Sequence, residues 1–308
     1  MRILVVGAGA TGGLFGGRLA AAGRDVTFLV RPGRADVLRR DGLVIRAPDG
    51  VLSLTPALVM AGEIRHPYDV ILVTVKAFSL VAAMADMAPA VGPGTVILPV
   101  LNGMAHMEAL AARFGGRAVA GAVCKVAAAL DDHGRILQMT SLQDLAYGER
   151  NGQVSERMTR LDAILRGAGF EARLSEDIDR EMWEKWIFLA SLGAVTCLMR
   201  GTIGEVMAAP GGEAFIHALF DEAVAIVRAV GREPSAPFLD RTRAQLTTPG
   251  SSLTSSMYRD LSQGLPVEAG QILGDLLGRG TAAGIGAPLL SLAYAHLAVY
   301  QGRPEPSL

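Results

Sequence analysis

Residues 1–12 read Met1-Arg-Ile-Leu-Val-Val-Gly7-Ala8-Gly9-Ala10-Thr11-Gly12, and this stretch decides the fold. The apolar run Ile3–Val6 has the character of a buried strand. It breaks at Gly7 into G-x-G-x-x-G and resumes at helical spacing through Leu14, Phe15, Leu19 and Ala22. Strand, glycine turn and helix in that order are the context a dinucleotide site requires. Gly7 permits the tight turn, Gly9 lets a pyrophosphate approach the backbone, and Gly12 allows close helix–strand packing. The diphosphate then rests on the positive end of the helix dipole, with Ala8, Ala10 and Thr11 completing the cofactor-binding loop.

A second strand, Asp25–Val30, follows at the right distance, and its end selects the cofactor. An NAD site usually carries an Asp or Glu there for the ribose 2′-hydroxyl. Here the chain runs Val30-Arg31-Pro32-Gly33-Arg34, with no acid. A guanidinium fork grips a 2′-phosphate bidentately, so the reading is NADPH/NADP+ with Arg31 on the cofactor; the alternative is that Arg31 and Arg34 are solvated loop charges.

Outward from this motif, residues 1–148 alternate short apolar strands with helical segments, the pattern of a doubly wound parallel sheet. Candidate strands are 2–6, 25–30, 69–74, 95–99 and 118–123. The stretch 126–147, broken at Asp131-Asp-His-Gly134, reads as antiparallel strands added to that sheet, and a helix near 155–167 and a short strand near 170–173 follow. From Asp177 onward the pattern is helical throughout. The expected class is α/β, with a Rossmann-type NADP-binding domain over 1–174 and an all-helical substrate and catalytic domain over 175–308. A ligand is then expected at the carboxyl ends of the strands.

A length of 308 residues suits two domains. Half the residues are apolar and the net charge is −1, which argues against a nucleic-acid partner. The apolar stretch Trp186–Met199 is 14 residues long, short of the roughly 20 needed to span a bilayer, so no membrane association is expected. No charged region or cleavage signature precedes the first strand, and Cys124 and Cys197 stand alone in apolar surroundings, as reduced core residues of a cytoplasmic protein do. The five histidines show no ligand spacing, and no metal site is expected. A monomer and a homodimer are both compatible with the sequence.

Lysine occurs only at Lys76, Lys125 and Lys185, against 26 arginines, and asparagine only at Asn102 and Asn151. Where arginine serves the ordinary surface roles, a retained lysine points to work arginine cannot do, because lysine can lose its proton. Four local motifs contain these rare residues or lie near them. Val73-Thr74-Val75-Lys76-Ala77 and Leu101-Asn102-Gly103-Met104 each follow a strand. Glu181-Met-Trp183-Glu-Lys185-Trp186 opens the helical half, and Ser255-Ser256-Met257-Tyr-Arg-Asp260-Leu261 precedes Pro266-Val267-Glu268.

In order and spacing this set resembles the ketopantoate reductase (2-dehydropantoate 2-reductase) family, over nearly the whole chain. The resemblance implies NADPH-dependent reduction of a 2-oxo acid to a 2-hydroxy acid, with 2-dehydropantoate as leading substrate in pantothenate biosynthesis. By that likeness Lys185 is the catalytic lysine and Glu268 the glutamate near the nicotinamide ribose, counted with it as catalytic. Asn102 contacts nicotinamide and substrate, Ser256 binds substrate, and Lys76 and Ala127 lie on the cofactor side. The residue types suit the chemistry. Hydride delivery to a ketone builds negative charge on oxygen, and a positioned ammonium both stabilises and protonates it, typically worth about 10²–10⁴-fold. The plainer alternatives are a helix-surface lysine paired with Glu181 or Glu184, an Asx turn at Asn102, a back-bonded Ser256 and a first-turn carboxylate at Glu268.

The chain departs from the family at the substrate pocket. Asparagines expected four and eight residues after the lysine are Leu189 and Gly193; two more are Ile203 and Leu253. An unpaired buried polar group costs roughly 1–3 kcal/mol, so these substitutions point toward a less hydroxylated 2-oxo acid, or toward other contacts with the same one. The competing readings are a sibling reductase acting on another carbonyl and a catalytically silent NADP(H)-binding regulator.

Overall fold

The computed structural model describes residues 1–302. They divide into two compact units: Met1–Leu101 with His106–Asp179, and Asn102–Ala105 with the chain from Arg180 on. The sequence placed the division near 174; it falls after Asp179, and four residues following a strand of the first unit belong to the second.

The first unit holds β1 (Arg2–Val6), α1 (Ala10–Ala21), β2 (Asp25–Leu29), α2 (Pro32–Asp41), β3 (Leu43–Ala47), β4 (Gly50–Leu54), β5 (Ala57–Val59), β6 (Val70–Val73), α3 (Leu80–Met87), β7 (Val96–Pro99), α4 (Ala105–Phe114), β8 (Gly121–Leu130), β9 (Ile136–Gly148), α5 (Glu156–Leu165) and β10 (Glu171–Leu174). Five strands form a parallel sheet in the order β5-β2-β1-β6-β7. Its strands are apolar on both faces, as a sheet covered on both sides requires: the inner strand β6 and the terminal strand β7 are buried at every position.

A second sheet, ordered β10-β9-β3-β4 with β8 paired to β9, corrects the sequence reading. The run 118–123 is not a strand of the parallel sheet. Val119 makes a single parallel bridge to Ile97, and from Gly121 the chain pairs antiparallel with β9 instead. Strands β3, β4 and β5 were not read from the sequence at all. An apolar run declares a strand but not its partner, and short half-exposed strands such as β4 carry little periodicity.

Helix α1 explains why two sheets form. Its glycines bring both within backbone distance: a Cβ on Gly16 would meet Phe28 and Val5 of the parallel sheet at 2.6 and 2.9 Å, and one on Gly17 would meet Leu43 and Ile45 of the second at 2.8 and 2.9 Å. The helix is the shared filling of a sandwich, and the cluster around Ile3, Phe15, Phe28, Ile45 and Tyr147 is the core.

The second unit contains α6 (Ile178–Met199), which begins at the end of the first unit, then α7 (Ile203–Ala208), α8 (Gly212–Val230), α9 (Ala236–Leu246), α10 (Ser256–Ser262), α11 (Asp275–Ala282) and α12 (Pro288–Gln301). Among its described residues there is no strand, as the sequence predicts. By length and composition α6 is apolar enough to cross a membrane, yet 67% of its most apolar stretch is buried inside the protein, the pattern of a core helix. It exceeds the 14-residue run read from the sequence because Glu181, Glu184 and Lys185 lie within its first turns.

Candidate active site

In the first unit the glycine loop is held by backbone. Gly7 takes φ +95°, a region that only glycine enters readily, and its N–H donates to the Leu29 carbonyl at 3.0 Å. A Cβ on Gly12 would lie 2.1 Å from both the Gly7 carbonyl oxygen and Thr74 Oγ1, so no side chain fits there. The Thr74 hydroxyl lies 2.9 Å from the carbonyl oxygens of Val6 and Gly7 and braces the turn from the end of β6. A Cβ on Gly9 would meet nothing within 4 Å. Gly9 is the N-cap of α1, without a side-chain cap and with no acid in the first turn, so its N-terminal N–H groups are not spent on a carboxylate. Ala8 is buried, while Ala10 and Thr11 are half-buried on that turn. An open approach at Gly9 over uncapped N–H groups fits an anionic diphosphate.

The two arginines after β2 part company. Arg34 is half-buried and donates from Nε to the Ala8 carbonyl at 2.9 Å and from Nη1 to the Gly134 carbonyl at 2.8 Å. It ties the glycine loop to the β8–β9 turn, and burial lowers its pKa from the ordinary arginine value. Arg31 is exposed at the N-cap of α2. Lys76 is exposed immediately before a 3₁₀ turn, Ala77–Ser79. Ala127 sits at the irregularity where the β8–β9 register shifts between Val126 and Ala128.

In the second unit Lys185 is half-buried on α6 between two buried tryptophans. The Trp183 and Trp186 rings stand 5.4 Å apart, Arg279 lies 5.6 Å over Trp186, and Trp186 Nε1 donates to the Ile272 carbonyl at 2.8 Å. Glu184, one of the expected ion-pair candidates, is engaged elsewhere: Oε1 accepts from Ser235 N at 2.8 Å and Oγ at 2.7 Å, capping α9. Leu189 and Gly193 continue the Lys185 stripe at helical intervals of four, Leu189 half-buried and Gly193 buried. A Cβ on Gly193 would stand 2.6 Å from Met257 Cε.

Ile203 is fully buried, so its side chain belongs to the helical core and is not brought to a surface with the others. Its N–H donates to the Leu253 carbonyl at 3.1 Å. Its helix α7 starts with a capping box, Thr202 with Glu205, and a residue just inside such a cap is placed by packing. At α10 the neighbouring serines divide the work. Buried Ser255 is the N-cap, accepting from Tyr258 N at 2.9 Å and lying 3.0 Å from Thr196 Oγ1. Ser256 is half-buried at the first helical position, and its hydroxyl has no hydrogen-bond partner among the described residues.

Asn102 and Glu268 meet although 166 residues separate them: Asn102 Nδ2 donates to Glu268 Oε2 at 3.4 Å. Glu268 is only 8% exposed. The Asn102 carbonyl accepts from Gln271 Nε2 at 3.1 Å. Gln271 lies in a π-helical turn, Gly270–Gly274, which no sequence signal announced. Thr74 and Met257 stood in the sequence motifs without a role of their own, and their parts appear only when distant segments pack.

Two family models match the chain: "Ketopantoate reductase PanE/ApbA" over residues 3–152 and "Ketopantoate reductase PanE/ApbA C terminal" over residues 177–301. The uncharacterised oxidoreductase YkpB of Bacillus subtilis is 35% identical over 302 residues, 98% of this chain and 99% of its own. The 2-dehydropantoate 2-reductase of Mesorhizobium japonicum is 30% identical over 87% of this chain and 88% of its own. The crystal structure of 2-dehydropantoate 2-reductase from Geobacter metallireducens superposes with a TM-score of 0.88 at 26% identity, covering 97% of this chain and 99% of that one.

Proposed function

Because the chain belongs to the ketopantoate reductase PanE/ApbA family, a family of oxidoreductases, we propose that it reduces a 2-oxo acid to the 2-hydroxy acid with NADPH, and that 2-dehydropantoate is the leading substrate. NADPH, when bound, supplies the hydride. The Gly7–Gly12 turn receives its diphosphate, and the exposed Arg31 and Lys76 supply cations for a 2′-phosphate. On the substrate side the Lys185 ammonium stabilises the charge growing on the carbonyl oxygen and then gives up a proton to it. Asn102 orients the reacting groups through its side-chain amide, Glu268 accepts from that amide and holds its rotamer, and the Ser256 hydroxyl meets the substrate. The observation that carries this reading is the Asn102–Glu268 hydrogen bond, a buried carboxylate aimed at the rare asparagine. The two buried, unbridged cysteines accord with a cytoplasmic setting, and with 2-dehydropantoate as substrate the reaction belongs to pantothenate biosynthesis.

A second reading, a sibling reductase for a less polar 2-oxo acid, is favoured by one observation. Beyond Lys185 the α6 stripe presents Leu189 and then Gly193, and Met257 fills the space a side chain at 193 would occupy. Steady-state NADPH consumption across 2-dehydropantoate and unsubstituted 2-oxo acids tests both. Turnover confined to 2-dehydropantoate refutes the second reading; NADPH binding with no turnover on any of them refutes both.

A further inference from the structure

The π-helical turn Gly270–Gly274 is bonded to two elements of the second unit at once. On one side Gln271 Nε2 donates to the Asn102 carbonyl at 3.1 Å, and Gly103, at φ +78°, lies so close that a Cβ there would be 2.7 Å from the Gln271 carbonyl oxygen. On the other, the Ile272 carbonyl accepts from Trp186 Nε1 at 2.8 Å, one residue along α6 from Lys185. The turn begins two residues after Glu268, whose own carbonyl accepts from Ile272 N at 2.9 Å. A π turn inserts one residue and swings the downstream helix by about 100° relative to an uninterrupted α-helix. Such turns are less stable than α-helical ones and concentrate at functional sites.

We propose that Gln271 is a positioning residue: its side-chain amide fixes the Asn102 loop against Glu268, while the same turn anchors the Lys185 segment of α6 through Trp186. This rests on the reading of Asn102 and Lys185 given above. A backbone carbonyl held by a side-chain donor cannot shift without breaking that bond, so the Asn102 amide stays aimed between substrate-binding events.

Gln271→Met keeps length and shape and removes the donor; Gln271→Glu is isosteric and, when ionised, also cannot donate. Both should lower kcat/KM for 2-dehydropantoate with NADPH by roughly tenfold, the scale of one hydrogen bond. The loss should fall on kcat, with the urea midpoint and the tryptophan emission of Trp183 and Trp186 at the parent values. In an Asn102→Ala background Gln271→Met should add no further loss, because the side chain being aimed is gone. A merely structural residue would cost the same in both backgrounds. Equal losses in the two backgrounds, or parental activity in both Gln271 variants, overturn the proposal. Parental activity in Asn102→Ala instead sinks the functional reading of the site, and the proposal with it.

Discussion

Met257 and Gly193 are complementary: the thioether tip of one fills the space left by the missing side chain of the other, 2.6 Å from where a Cβ would be. Met257 is 2% exposed, so its tip has little free space to retreat into. Two effects oppose each other on substitution. Replacing a mid-helix glycine by alanine gains about 1 kcal/mol of helix propensity, whereas overpacking a filled core costs typically about 1–3 kcal/mol. Gly193→Ala should therefore fall between the parent's stability and a loss of about 2 kcal/mol in urea unfolding. Gly193→Asn should lose about 2 kcal/mol, and adding Met257→Ala should restore part of that loss and raise selectivity for 2-dehydropantoate over unsubstituted 2-oxo acids. Additive losses in the double variant would refute the complementarity.

Lys185→Ala should lower kcat by about 10²–10⁴-fold, with NADPH affinity, followed by nucleotide fluorescence, within about twofold of the parent. Lys185→Arg should not rescue turnover, since a guanidinium keeps its proton. Rescue by arginine would reduce the role of Lys185 to that of a fixed charge.

Arg31→Ala is expected to raise the Kd for NADPH by roughly 10–100-fold, the scale of a charge-assisted contact to phosphate, and to leave the Kd for NADH unaltered. Arg31 is exposed, so its truncation leaves the core packing intact and such a split reports on the nucleotide alone. Equal weakening for both nucleotides would show that the arginine does not read the 2′-phosphate.

Gly12→Ala places a methyl group 2.1 Å from a backbone carbonyl that cannot move without breaking the Gly7 turn. Nucleotide binding should be lost and stability should fall by about 3 kcal/mol. Thr74→Val, which removes only the brace on the Val6 and Gly7 carbonyls, should cost about 1–2 kcal/mol and weaken NADPH binding more mildly. Differential calorimetry and nucleotide titration separate the two.

Glu149 accepts from Ser155 Oγ and Arg157 Nε, each at 2.6 Å. The Arg157 guanidinium, outweighing burial, holds its carboxyl below the usual carboxylate range. A depressed pKa stabilises the fold fully above the unfolded-state value of about 4.3 and is lost as pH falls through the folded value. Glu149→Gln should thus destabilise the protein at neutral pH and narrow that gap below pH of about 4. A constant difference across the acid range in urea midpoints would rule the linkage out.

How much was legible in advance differs by scale. Strand, glycine turn and helix at residues 1–22, the basic residue after β2, and the change to an all-helical pattern after Asp177 are each written locally. Turn chemistry and periodicity depend on residues within a few positions of one another. Rarity narrowed the candidates to three lysines and two asparagines, and the motifs around them, through the family resemblance, picked out Lys185 and Asn102. The hairpin β3–β4 escaped because its exposed strand carries weak alternation, and Ser255 rather than Ser256 took the cap because the choice turns on where the helix starts.

By itself, then, the sequence determined a glycine turn between strand and helix, a two-part chain and a short set of chemically apt residues, since those follow from short-range steric and hydrogen-bonding preferences. Only the tertiary structure decided which sheet received β8, that Arg34 braces the glycine loop, that Met257 fills the gap over Gly193, and that Asn102 meets Glu268 and Gln271. Each of those is a contact between segments far apart in the chain, selected by close packing and by the need to pair buried polar groups; no local pattern encodes its partner.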